Sequence, residues 1–156
     1  MSRQLFISSL FLFVILSTDV FSAEKAQQTK GPIIVTSETL IADNKAHTAL
    51  FEKNVVARTT EMTIYADKML AYYKADTGDI TKIEATGSVK LIKGARVITS
   101  SEAVYFANED RITFTGEPRV VDGKNVVTGT KMTYFLNDDR FFVENSKVFL
   151  TGKKEQ

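Results

Sequence analysis

Four segments of this chain repeat one another, and such a repeat restricts the possible folds more tightly than composition does. They are VTSETLIAD from Val35, IYADKMLAY from Ile64, ITSSEAVYF from Ile98 and VTGTKMTYF from Val127, with starts 29, 34 and 29 residues apart. Each is followed by a second kind of segment centred on Asn or Gly: ALFEKNVVA around Asn54, KIEATGSVKL around Gly87, RITFTGEPRVV around Gly116 and FFVENSKVFL around Asn145. Both kinds are rich in Val, Ile, Thr, Tyr and Phe, lack helical periodicity, and are broken by Asn, Asp and Gly. An all-β chain from Pro32 onward follows. Its unit is a strand pair, and the second copy contains a longer connection.

The repeat also predicts where strands bend. In the first kind of segment an apolar residue opens the run (Val35, Ile64, Ile98, Val127), and another apolar or small one comes five positions later (Leu40, Met69, Ala103, Met132). In an unbroken strand that offset puts the two on opposite faces. A bulge or corner near Ser37, Ala66, Ser100 and Gly129 restores a common face. Beyond the bend, Tyr105 and Tyr134 continue the alternation. In the second kind, Leu50, Ile83, Ile112 and Phe141 stand four before the centre, with Phe114 and Val143 two before. Val56, Val89 and Pro118 follow two after it, and Leu91, Val120 and Phe149 four after it. Shared parity turns these residues inward, while Lys82, Glu84, Lys90 and Arg119 take the other parity. A bent ladder with one apolar and one polar face makes a sandwich or an open-ended curled sheet. Its terminal strands stay unpaired unless they are capped or matched to another molecule.

Residues 1–23 have the layout of a secretory signal: Arg3 near the start, the apolar run Leu5–Leu16, and a small-residue exit at Ser22–Ala23. A membrane span needs about 20 apolar residues, and Ser17, Thr18 and Asp19 end this run early. A retained anchor is the alternative. Residues 24–31 read as a flexible leader, 32–151 as the folded domain and 152–156 as a flexible tail. The chain has no Cys, so disulfides, thiolate metal sites, cysteine nucleophiles and lipoprotein anchoring are excluded. A balance of 20 Lys+Arg against 19 Asp+Glu argues against a partner held mainly by bulk charge, such as nucleic acid.

No residue pattern points to catalysis, a cofactor or a metal. His47, the sole histidine, sits in a polar stretch beside a turn. Asp43, Asp67, Asp110, Asp138 and Asp139 recur near turns and strand ends, where such side chains form turns. Lys68 and Lys131 serve solubility and edge protection. Of the eleven Phe, seven lie beyond Pro32 together with all five Tyr, and a sheet lined with them suits an acyl chain.

The repeat, the P-I-x-V opening of Pro32–Val35, the I-x-A-D-K of Ile64–Lys68 and the G-x-V of Gly87–Val89 resemble one family in their order. It is the OstA-like family of lipopolysaccharide transport periplasmic proteins, LptA and its kin, and the likeness runs from about Pro32 to about Thr151. The resemblance implies a β-jellyroll of two curled antiparallel sheets forming a V-shaped trough open at both ends. It implies head-to-tail self-association and a passive, non-enzymatic track for lipopolysaccharide acyl chains in the periplasm. The track runs between an LptC-like inner-membrane protein and an LptD-like outer-membrane protein. The P-I-x-V stretch adds Ile33 and Val35 to the inward residues as groove positions. The full groove set is then Ile33, Val35, Leu40, Leu50, Val56, Ile64, Met69, Ile83, Val89 and Leu91, followed by Ile98, Tyr105, Ile112, Phe114, Val120, Met132, Tyr134, Phe141, Val143 and Phe149. Relatives carry a basic residue where this chain has Tyr72 and Tyr73. Lys53, Arg58, Lys93 and Arg96 are substitutes for a phosphate contact, although each reads first as a solvated surface charge. A membrane-tethered LptC-like adaptor and a purely structural β-repeat module that binds protein are the competing functions.

Overall fold

The computed structural model describes residues 32–151, so the expected signal, leader and tail lie outside the described residues. The strands are β1 (Ile34–Thr36), β2 (Thr39–Asp43), β3 (Thr48–Arg58), β4 (Thr63–Tyr73), β5 (Ile80–Lys93), β6 (Arg96–Phe106), β7 (Arg111–Thr115), β8 (Arg119–Asp122), β9 (Asn125–Thr128), β10 (Lys131–Phe135), β11 (Arg140–Glu144) and β12 (Lys147–Phe149). They pair antiparallel in one elongated sheet of order β1-β3-β4-β5-β6-β7-β10-β11, with β2 beside β3, β8 between β6 and β9, and β12 on β9.

Branching in this order has a local cause. Strand β3 pairs with β2 through residues 48–52 and with β1 through residues 56–58. Likewise β6 pairs with β7 through residues 102–106 and with β8 through residues 96–99. Between these halves the register shifts at Glu52/Val55, Tyr65/Lys68 and Thr86/Val89. The shifts line up as a row of bulges that divides the sheet into two arms. The first arm holds β2, the adjoining halves of β3–β6, then β7, β10 and β11. The second holds β1, the other halves of β3–β6, then β8, β9 and β12.

Left-handed backbone makes the row. Lys53 and Asn54 have φ of 66° and 50°, Gly87 and Ser88 79° and 48°, Gly116 and Glu117 72° and 58°, and Asn145 50°. On the facing segments, the Glu38 amide donates to the Lys53 carbonyl at 3.1 Å, that of Ser101 to Gly116 at 2.9 Å, and that of Thr130 to Glu144 at 3.0 Å. The expected bends therefore come as partnered corners, one in each kind of repeat segment. The longer connection of the second copy is the β4–β5 turn, closed by the Lys74 amide on the Asp79 carbonyl at 2.9 Å.

One apolar cluster draws on both arms: Val89, Leu91, Ile98 and Val120 from the second, Ile112, Phe114, Met132 and Tyr134 from the first. The opposite face of the first arm carries an alternating stripe. Tyr72, Lys82, Phe106, Arg111, Phe135 and Arg140 are successive cross-strand partners. Lys82 Nζ lies 4.1 Å from the Tyr72 ring centre, the Arg111 guanidinium 4.2 Å from Phe106, and that of Arg140 4.8 Å from Phe135. Such contacts contribute about 0.5–1 kcal/mol each at exposed sites. Part of the aromatic content thus stiffens the outside of the sheet rather than lining its interior.

Candidate functional site

The inner face consists of cross-strand rows, each crossing the whole sheet. In the first arm, Leu40, Phe51, Met69, Ala85, Ala103, Phe114, Met132 and Val143 are successive partners on eight strands. A parallel row runs Ala42, Ala49, Ala71, Ile83, Tyr105, Ile112, Tyr134 and Phe141. In the second arm the row is Val35, Ala57, Ile64, Leu91, Ile98, Val120, Val127 and Val148. Leu91, Ile98, Phe114, Met132 and Tyr134, near the middle, have no solvent exposure, whereas Leu40 at one edge is 56% exposed and Val148 at the other 50%. The apolar face is closed at its centre and open at both edges.

Most of the predicted inward residues lie on these rows. Val89 is buried beside the corner row, and Ile33 packs half-buried against the core. Three do not face inward. Leu50 pairs with Ile41 and Leu70, and Val56 with Thr36 and Tyr65, both on the outer face. Phe149 pairs with Val126 and is likewise outward, 51% exposed. A one-residue slip is the cause, because it turns every side chain over. The left-handed pair Lys53–Asn54 matches Gly87–Ser88 and Gly116–Glu117, so Lys53, not Asn54, is the equivalent of Gly87. Counting from Lys53 puts Phe51, Val55 and Ala57 inside, which the sequence reading missed. At the last corner only Asn145 is left-handed, and the inward residue is Val148. Nothing in the sequence of the last corner signals that lost residue.

Polar side chains tie the arms together at their free ends. Lys93 at the end of β5 and Arg96 at the start of β6 flank the β5–β6 turn on the second arm; β10 and the β10–β11 turn carry Tyr134 and Asp139 on the first. Lys93 Nζ donates to the Tyr134 hydroxyl at 3.0 Å and to Asp139 Oδ1 at 3.5 Å. The Tyr134 hydroxyl donates to Asp139 Oδ1 at 2.5 Å. Arg96 Nη1 donates to the same oxygen at 2.9 Å, while its Nε and Nη2 hold Asp122 Oδ2 at 3.0 and 2.9 Å. Glu61 stands 3.6 Å from Lys93. The Arg96 guanidinium lies 5.0 Å from the Phe141 ring, and Phe141 stacks on Tyr134 at 4.3 Å. The hydrogen bond from Tyr134, with Arg96 and Lys93 nearby, holds the Asp139 carboxyl below its ordinary range. Burial, then the Asp139 bond, pushes the Tyr134 phenol up. Lys93 and Arg96, expected to be solvated charges, are thus largely covered, at 24% and 22% side-chain exposure.

The remaining polar candidates have structural roles. Asp43 Oδ1 accepts the amides of Lys45 and Ala46, the expected turn closure. His47, at φ 53°, meets Tyr73 edge to face at 5.9 Å. Lys68 and Lys131 pair across strands with Glu52 (3.4 Å) and Glu144 (3.1 Å), inside the sheet rather than at its edges. Among the described residues, no three His, Asp or Glu side chains gather as a metal site.

Residues 34–140 match the sequence pattern of a family described as LptA/(LptD N-terminal domain) LPS transport protein. Among solved structures, the chain is similar to the crystal structure of LptH, the LptA-homologous periplasmic component of the conserved lipopolysaccharide transport device of Pseudomonas aeruginosa. The TM-score is 0.70 at 12% identity, over 78% of this chain and 96% of that one. At that identity the likeness speaks to fold. No curated protein matches the sequence significantly.

Proposed function

The chain belongs to the LptA/LptD N-terminal domain family of lipopolysaccharide transport proteins, and from that premise we propose that it is a periplasmic carrier of lipopolysaccharide acyl chains, passing them from an LptC-like inner-membrane protein to an LptD-like outer-membrane protein. The observation that carries this reading is the set of apolar rows crossing eight strands without a break, exposed at Leu40 and Ala42 on one edge and at Val148 on the other. Each methylene moved out of water is worth about 0.8 kcal/mol. Several acyl chains therefore need a long apolar path, with the two arms forming an open-ended trough. The export signal of residues 1–23 is cleaved in this reading.

Self-association completes the path. Ile34, Leu40 and Ile41 are exposed at one edge, and Phe142, Val148 and Phe149 at the other. Because β11 and β12 repeat β3 and β5, while β1 and β2 repeat β4 and β6, a second copy continues the ladder in the same antiparallel sense. Extending the β3–β4 register places Val143 opposite the next copy's Leu40, Phe142 opposite its Ile41, and Val148 opposite its Val35. Rows within one molecule then join rows in the next. The test is photo-crosslinking in cells from Val35, Ile83 and Val143. Lipopolysaccharide adducts are expected from all three, and a lack of lipid adducts at every one overturns the carrier role.

A further inference from the structure

The closed centre of the inner face poses a steric problem. Leu91, Ile98, Phe114, Met132 and Tyr134 have no exposed surface, so a chain of methylenes can pass between the arms only if the arms part. Main-chain pairing does not resist that movement across the free ends, because the strands of the two arms are joined through the corner row on the far side. Resistance at the free ends comes from side chains. There the second arm's Lys93 and Arg96 converge on one carboxylate oxygen of the first arm, Asp139 Oδ1, with the Tyr134 hydroxyl as a third donor.

We propose that Lys93, Arg96, Tyr134 and Asp139 form a latch that holds the free ends of the two arms together over the apolar core and must release to admit an acyl chain. The gating part rests on the carrier reading; the latch itself does not. Its construction suits repeated opening. Asp139 sits on a turn at φ 48°, and its side chain is 54% exposed, so water solvates it at once when the contact breaks. Arg96 keeps its two bonds to Asp122 on its own arm, and Lys93 keeps Glu61. Neither cation is stranded without a partner on opening, which lowers the barrier to release. The stacked Tyr134 and Phe141 rings move with the first arm as one body. Partly exposed ion pairs of this kind are weak individually, as a device that opens in each transport step requires.

Asp139→Asn is the decisive variant. Asn tolerates the left-handed backbone and removes the charge that the two cations share. Spin labels go at the exposed turn positions Lys124 of the second arm and Asn137 of the first, and their separation is measured in the native chain and the variant. A narrow distribution in the native chain that broadens or lengthens in Asp139→Asn supports the latch; the same distribution in both overturns it. Lys93→Gln, which leaves the turn untouched, must shift the distribution the same way, and failure to do so overturns the assignment equally. Association of a pyrene-labelled fatty acid reads the gating. Entry about two- to fivefold faster in the unlatched variants is expected from loosening a partly exposed pair; equal rates overturn gating. Absence of binding by every form counts against the carrier reading, while the label distances still decide the latch.

Discussion

The side chain of Asp67 fills the space that a β-carbon on Gly87 would need, with Asp67 Cβ and Cγ 2.8 and 2.9 Å from that position. Gly87 has φ 79° and marks the corner of β5, and Asp67 marks the facing corner of β4. The same approach recurs at the next corner, where Ser101 Cβ stands 2.5 Å from a β-carbon position on Gly116. The boundary between the arms thus depends on strands that approach closely at left-handed residues.

Gly87→Ala therefore combines two penalties, a left-handed backbone and a steric conflict, for a loss of about 2–4 kcal/mol. Gly94 at φ 58° has open space around it. Gly94→Ala meets only the backbone penalty, about 1–2 kcal/mol. Urea unfolding of the two variants checks the ordering; equal losses would show that the corner is not tight.

The bends and most of the common inner face were legible because the first kind of segment repeats with one odd offset. The slip came where composition misleads. At three of the four corners Asn or Gly is the first left-handed residue, but at the first corner Lys53 holds that place and Asn54 the second. Lysine carries no sequence signal of left-handed backbone, so Leu50 and Val56 took the wrong face. The tie between the arms was hidden for another reason. Lys93 and Asp139 are 46 residues apart, and neither has a pattern around it. Only the folding of one arm against the other brings them together.

Edge pairing between copies is testable with single cysteines, since the natural chain has none. Phe142→Cys mixed with Ile41→Cys is expected to form an intermolecular disulfide under mild oxidation, because the extended register sets them opposite. Phe142→Cys mixed with Leu70→Cys, on the same outer face but within the sheet, is expected to form none. Equal cross-linking in both mixtures would refute the register.

The Glu84 carboxyl is held below its ordinary range by the bond from Lys82 at 2.7 Å and then by the Tyr72 hydroxyl at 3.1 Å. A lowered folded value means that its stabilisation is complete above the unfolded carboxylate range. It fades as pH falls through the folded value. Glu84→Gln should thus lose stability at neutral pH, by no more than about 1 kcal/mol for so exposed a pair. Chemical unfolding at neutral and acid pH should show the native and variant chains converging in acid. A gap that stays constant would assign the loss to packing instead.

Leu50 and Phe51 give the sharpest reading of which face meets the cargo. They are neighbours in β3, equally close to the exposed edge, and they point to opposite faces: Phe51 pairs with Leu40 and Met69, Leu50 with Ile41 and Leu70. Both are half-buried and apolar, so hydrophobicity and access do not separate them. A photoreactive residue at Phe51 should capture lipopolysaccharide in cells, and the same residue at Leu50 should not. Were Leu50 to capture it while Phe51 did not, the lipid path would lie on the outer face, beside the stripe of Tyr72, Lys82 and Phe106. The two-arm core would then be a structural interior that carries nothing.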